Sequence, residues 1–98
     1  MTRELSLSVN DVPIETDYFV ERFIDHVMGG IVASLESTGE IKNLDVSIEG
    51  DTVAINLNNT LVPINFFVNK IIRNTVVGMV SSLKGVAEID KMHIVIKR

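Results

Sequence analysis

The sequence predicts an α+β domain: an antiparallel sheet with two helices on one face, built from a strand–helix–strand unit written twice. Two observations carry this. Residues 18–50 lie on residues 66–98 at a constant offset of 48 positions. Ten pairs are identical there: Phe19/Phe67, Val20/Val68, Ile24/Ile72, Gly30/Gly78, Val32/Val80, Ser34/Ser82, Leu35/Leu83, Glu40/Glu88, Ile41/Ile89 and Ile48/Ile96. Ordinary composition would give about two. Within each half, apolar residues first alternate with polar ones, then recur at helical spacing, then alternate again. Upstream, Val12-Pro13-Ile14 matches Val62-Pro63-Ile64 with a shift of two further residues, and these hold both prolines of the chain.

Leu5, Leu7 and Val9 alternate with Ser6 and Ser8, the period of a half-buried strand. Asn10-Asp11 turns the chain, and Val12-Pro13-Ile14 continues as a short extended piece, since proline disfavours helix in the residue before it. Thr16 or Asp17 can cap the next helix by accepting a backbone N–H. Val20, Phe23, Ile24, Val27, Met28, Ile31, Val32 and Leu35 then form an apolar helical stripe, with Gly39 as its stop. Leu44, Val46 and Ile48 alternate with Asp45, Ser47 and Glu49 as a second strand. Glu49-Gly50-Asp51 makes a tight hairpin into the second half.

There, Val53, Ile55 and Leu57 give the strand face and Asn58-Asn59 the turn. Asn65 caps a helix whose stripe is Val68, Ile71, Ile72, Val76, Met79, Val80 and Leu83, with Gly85 as its stop. Met92, Ile94 and Ile96 point inward from the last strand. The resulting βαββαβ order with internal two-fold similarity is the ferredoxin-like split βαβ plan. Numbering the four strands along the chain, that plan gives the sheet order 4-1-3-2, with right-handed crossovers. We read residues 1–98 as one domain, copy one spanning about 3–50 and copy two about 51–98.

The chain has 98 residues, 46% of them hydrophobic and 22% charged, which excludes a disordered chain. There is no cysteine, which excludes disulfides, thiolate metal sites and cysteine nucleophiles. Neither a signal peptide nor a membrane span is expected, because Arg22, Asp25, His26, Lys70, Arg73 and Asn74 interrupt the apolar stretches. The expectation is a soluble, cytoplasmic protein with no membrane partner. Its charge is uneven: ten acids and three bases in residues 1–50, a net of −7, against three acids and six bases in residues 51–98, a net of +3. The halves share apolar positions and differ in charge, as at Asp25/Arg73, Glu36/Lys84, Asp45/His93 and Glu49/Lys97.

Few residues suggest chemistry. Gly30-x-x-x-Ser34 and Gly78-x-x-x-Ser82 occupy equivalent places beside the helical stripes. Small residues there predict either a crossing of the two helices or a helix contact between chains, since a mid-helix glycine costs about 1 kcal/mol against alanine. His26 and His93 show no metal-ligand spacing and read as solvated side chains. Asp11, Glu15 and Asp17 suit a helix N-terminus and lack a calcium-loop pattern. Phosphate-loop and G-x-S-x-G motifs are absent. No catalytic, cofactor or metal site is predicted.

The 4-1-3-2 order puts Ser6, Ser8, Ala54 and Asn56 outward on central strands, and Asp45, Ser47, His93 and Val95 outward on the edges. Asp45 and His93 should then lie far apart. RNA-binding sheets of this topology carry aromatics on their central strands. Here Tyr18, Phe19, Phe23, Phe66 and Phe67 all fall at helix starts instead. The small, weakly polar sheet face is a candidate protein interface. The sequence does not define an activity. It points first to a non-catalytic, self-associating assembly or binding domain, a homodimer being the simplest form, with a protein or small-molecule ligand. A small enzyme with a site between subunits, using His93 with Asp45 or His26, is a second reading. Backbone-only nucleic-acid binding through Lys70, Arg73, Lys84, Lys91, Lys97 and Arg98 is a third, set against an acidic chain.

Overall fold

The computed structural model describes residues 4–35, 40–83, 86 and 88–98. Its elements in chain order are β1 (Glu4–Val9), β2 (Val12–Pro13), α1 (Tyr18–Ser34), β3 (Asn43–Glu49), β4 (Thr52–Leu57), β5 (Thr60–Leu61), α2 (Phe66–Val80) and β6 (Lys91–Lys97). The helix stops expected at Gly39 and Gly85 lie outside the described residues.

All strands join one antiparallel sheet in the order β2-β1-β6-β3-β4-β5. This corrects the expected four-stranded 4-1-3-2 ferredoxin-like order. Without the two-residue strands, the observed order is first, last, second, third, so the second strand of each half is central. Both arrangements keep the β3–β4 hairpin, in which Glu49 faces Thr52. Both also separate the two strands of each half by one strand of the other. They differ in which strand of each half lies outermost.

Two hairpins explain the difference. Asn10 and Asp11 both have positive φ (51° and 66°), as do Asn58 and Asn59 (52° and 67°). Two consecutive positive φ angles define the type I′ turn that fits the twist of a hairpin, and asparagine and aspartate tolerate them. The turns fold β2 back on β1 and β5 back on β4. Ile14 N–H then donates to Leu7 C=O at 2.9 Å, and Val62 N–H to Ile55 C=O at 2.8 Å. The outer edges of β1 and β4 are therefore occupied by their own chain. A strand so occupied has one edge left, so β3 and β6 become central. Pro13, which has no N–H, is tolerated on an outermost strand.

These bonds also align the halves. Ile14 matches Val62, and the helix caps Asp17 and Asn65 accept from Val20 N–H and Val68 N–H at 2.8 Å each. The offset of 48 thus continues through the hairpins. In space, Val12-Pro13-Ile14 corresponds to Thr60-Leu61-Val62, not to Val62-Pro63-Ile64.

The inward residues of the four long strands are buried as expected, from Leu7 and Val9 to Met92, Ile94 and Ile96, except Leu5, which is partly buried. They form one core with Ile24, Met28 and Val32 of α1 and Ile72, Val76 and Val80 of α2. Both helices therefore cover the same face. Two stripe residues depart from expectation, and they are equivalents: Phe23 and Ile71 are 48% and 49% exposed.

Candidate interaction surfaces

The open face of the sheet carries the residues expected there, but with centre and edge exchanged. Asp45 and Ser47 on β3 and His93 and Val95 on β6 are central, because β3 and β6 pair directly. Ser6 and Ser8 on β1, and Ala54 and Asn56 on β4, flank them. The expected separation of Asp45 from His93 is therefore overturned. His93 Nε2–H donates to Asp45 Oδ1 at 2.5 Å, with both side chains about half exposed. The pair bridges diagonal positions, because Asp45 faces Val95 and Ser47 faces His93. Ser8 faces His93 from the other side.

Beside this pair is a polar recess of about 320 Å³, lined by Ser8, Asp11, Ser47, Glu49, Lys91 and His93. Lys91 Nζ is 2.7 Å from Asp11 Oδ2. The hydrogen bond and the charge of Asp11 hold this ammonium above its ordinary pKa. Among the described residues, no three histidine or carboxylate side chains converge as metal ligands.

The charge divergence between halves has a local use. Asp25 is buried on α1, and Arg98 donates to its Oδ1 through Nη2 at 3.0 Å and Nε at 3.2 Å. Gly29, one turn on, leaves space for this arm: an added Cβ would lie 3.1 Å from Arg98 Nη2. In the second half the polarity reverses. Arg73 Nε donates to Gly50 C=O at 2.7 Å and lies 3.3 Å from Asp51. Three expected nucleic-acid contacts, Arg73, Lys91 and Arg98, are thus paired with carboxylates of the chain itself.

The outer face of the helix layer differs in character. Tyr18, Phe19, Phe66 and Phe67 are 75%, 71%, 84% and 66% exposed. Phe19 and Phe23 contact each other one turn apart, with ring centroids 5.9 Å apart. An apolar groove of about 430 Å³ runs between the first half of α1, at Phe19, Phe23 and Val27, and the last half of α2, at Thr75 and Met79. Neighbouring ends are opposite ends, so the helices are antiparallel. Outside α1 a second recess holds His26, whose Nδ1–H donates to Arg22 C=O at 2.8 Å. Arg22 itself lies over the Tyr18 ring, 5.5 Å from its centroid.

Gly30 and Gly78 are exposed in this layer, and a Cβ added at either would meet no described residue within 4 Å. The two helices therefore do not cross at these glycines within the chain. Ser34 and Ser82 return their hydroxyls to the Gly30 and Gly78 carbonyls at 2.9 and 3.2 Å.

Sequence reasoning places Phe23 in the inward stripe and otherwise uses the aromatics to argue against a stacking sheet, and it misses the surface they build. The signal was present in the helical wheel. Ile24, Met28 and Val32 already fill the inward stripe, leaving Phe19 and Phe23 on another side. Comparison of the chain with family models, with curated proteins and with solved structures gives no match.

Proposed function

We propose that this protein is a non-catalytic assembly domain that associates with copies of itself, and that the outer face of the helix layer is its main contact surface. The observation supporting this is the exposed apolar area. Tyr18, Phe19, Phe23, Phe66, Phe67 and Ile71 are each about half exposed or more. At about 150–250 Å² per aromatic side chain, they present on the order of 700–800 Å². They fall in two clusters, one at the N-terminal end of each of the antiparallel helices α1 and α2. One partner in a stable interface contributes about 800 Å². No described helix is long and apolar enough to cross a membrane. The repeat belongs to the same reading, as a duplicated scaffold that presents each helix in equivalent surroundings.

Sedimentation equilibrium at low and high salt tests the proposal. A dimer whose affinity persists in high salt is expected, because apolar burial is not screened as exposed charges are. A monomer at all salt concentrations up to about 100 μM, a weak affinity by the free-energy scale, would refute it.

A second reading is supported by the contact between His93 and Asp45. The carboxylate fixes the ring tautomer and leaves Nδ1 free to accept a proton, as a general base requires. Ser8 and Ser47 flank that ring in the ladder. The site would be a small-molecule or catalytic one on the open sheet face. Chemical-shift mapping against a fragment library tests it. Shifts clustered at Ser8, Ser47 and His93 would support it, and their absence would remove it.

A further inference from the structure

We infer that two copies meet helix layer to helix layer, with each helix antiparallel to a helix of the second copy, so that the aromatic end of one outward stripe covers the glycine–serine end of another. This rests on the self-association reading and specifies its geometry.

The outward stripe of α1 steps through Phe19, Phe23, His26, Gly30 and Ser34 at the three- and four-residue spacing of one helix face. All five are exposed. The stripe of α2 repeats it 48 positions later as Phe67, Ile71, Asn74 and Gly78, continued by Ser82 in the turn after the helix, again all exposed. Each stripe is thus large at its N-terminal end and small at its C-terminal end.

Among the described residues, nothing requires the small end. A Cβ at Gly30 or Gly78 would enter open space, and neither glycine has a positive φ. Each nevertheless weakens its helix by about 1 kcal/mol. A close approach from outside the chain supplies the missing reason.

The taper sets the direction of that approach. Stacked parallel, two such helices would place aromatic on aromatic and leave a gap between glycines. They would also bring the cations Arg22 and Lys70 of facing helices together. Stacked antiparallel, Phe23 covers a partner glycine, Phe19 covers a partner serine, and the cations move to opposite ends. In a two-fold dimer each such contact occurs twice, because residue i meets j and j meets i. The large apolar residues of the two stripes, Phe19, Phe23, Phe67 and Ile71, present on the order of 450–500 Å², close to the apolar share of the roughly 800 Å² that one side of a stable interface buries. A second copy fits because it carries the same tapered stripe on both helices.

The test separates folding from association. Gly30→Gln and Gly78→Gln add a long side chain to open space without adding apolar surface. Each should keep the far-UV circular dichroism and hold or raise the thermal midpoint of the monomer. Each should also weaken dimerisation about tenfold or more, the effect of overpacking a close contact. Phe23→Ser, at a half-exposed site, should weaken it as well. A wild-type dimer unaffected by the glutamine variants would overturn this geometry and leave self-association standing. A wild-type monomer would overturn both. Were that monomer to cosediment with phosphatidylserine vesicles through Phe23, a lipid surface would be the occupant instead. A glutamine variant with lost helical signal would be replaced by Phe19→Ser, whose site is more exposed, read by the same two outcomes.

Discussion

Asn10 and Asn58 do more for this fold than their places in surface turns suggest. Asn10 Oδ1 accepts from Asp90 N–H at 2.9 Å and Lys91 N–H at 3.0 Å, and its Nδ2 donates to Glu88 C=O at 2.8 Å. Asn58 makes the same three bonds to Lys42, Asn43 and Glu40, each 48 positions earlier. Each side chain therefore ties an outer hairpin to the start of a central strand. Each backbone also sits at positive φ, which most side chains resist by about 1–2 kcal/mol. Asn10→Ala loses both contributions and should destabilise by about 2–4 kcal/mol in urea unfolding. Asn10→Gly keeps the backbone geometry and should cost about 1–2 kcal/mol less than alanine. Equal effects would show that the turn conformation contributes nothing. Lys91 offers a pH test beside the same turn. Its pKa is raised by Asp11, so the stability from this pair is fully present below the unfolded-state pKa and is lost as pH rises through the higher folded value. An NMR titration of the Lys91 side chain should place it above the ordinary lysine value, and Asp11→Asn should lower it.

The elements themselves were largely legible, whereas their arrangement was not. Alternation at Leu44, Val46 and Ile48, and at Met92, Ile94 and Ile96, identified buried strand faces, because a half-covered sheet enforces a period of two. Asp17 and Asn65 were readable as caps, since each can satisfy an otherwise orphaned N–H. The sheet order is not legible because the turns at Asn10-Asp11 and Asn58-Asn59 each start a returning strand of only two residues. Two-residue strands leave little periodic trace, although an Asn-rich pair after an alternating run is itself a hairpin signal. The shared Val-Pro-Ile drew attention to a match that the backbone does not use. The adjacency of Asp45 and His93 was hidden for the same reason, because neighbours across a sheet follow from strand order and not from spacing. Hydrogen exchange distinguishes the two orders directly. Amides of β3 and β6 should be the slowest, with β1 and β4 faster, because central strands are paired on both sides. Slowest exchange in β1 and β4 would restore the other order.

At the scale of the whole molecule, each half lends its outer strand to the other. β1 pairs with β6, and β4 pairs with β3. Neither half can bury its apolar faces alone, so thermal and denaturant unfolding should coincide in one transition by all probes. The molecule measures 35 × 35 × 18 Å. Such a slab has two broad faces and little depth, which suits a surface that meets another surface better than an enclosed pocket. Its two faces differ in character: the open sheet carries the Asp45–His93 and Asp11–Lys91 pairs, and the exposed aromatic rings lie on the helices.

The β1–β6 ladder has one more consequence. Glu4 faces Lys97 across it, as Thr52 faces Glu49 beside the Gly50-Asp51 turn. Those positions are equivalent under the offset of 48, so a two-residue turn would join them as it joins β3 to β4. A circular permutant can be made by bonding Arg98 to Arg3 and opening the chain between Gly50 and Asp51. It should recover the same sheet, with the same far-UV circular dichroism and cooperative melting. Loss of cooperativity would show that the Gly50-Asp51 turn must form first. Otherwise the sheet is indifferent to which of its two matched hairpins is covalently closed.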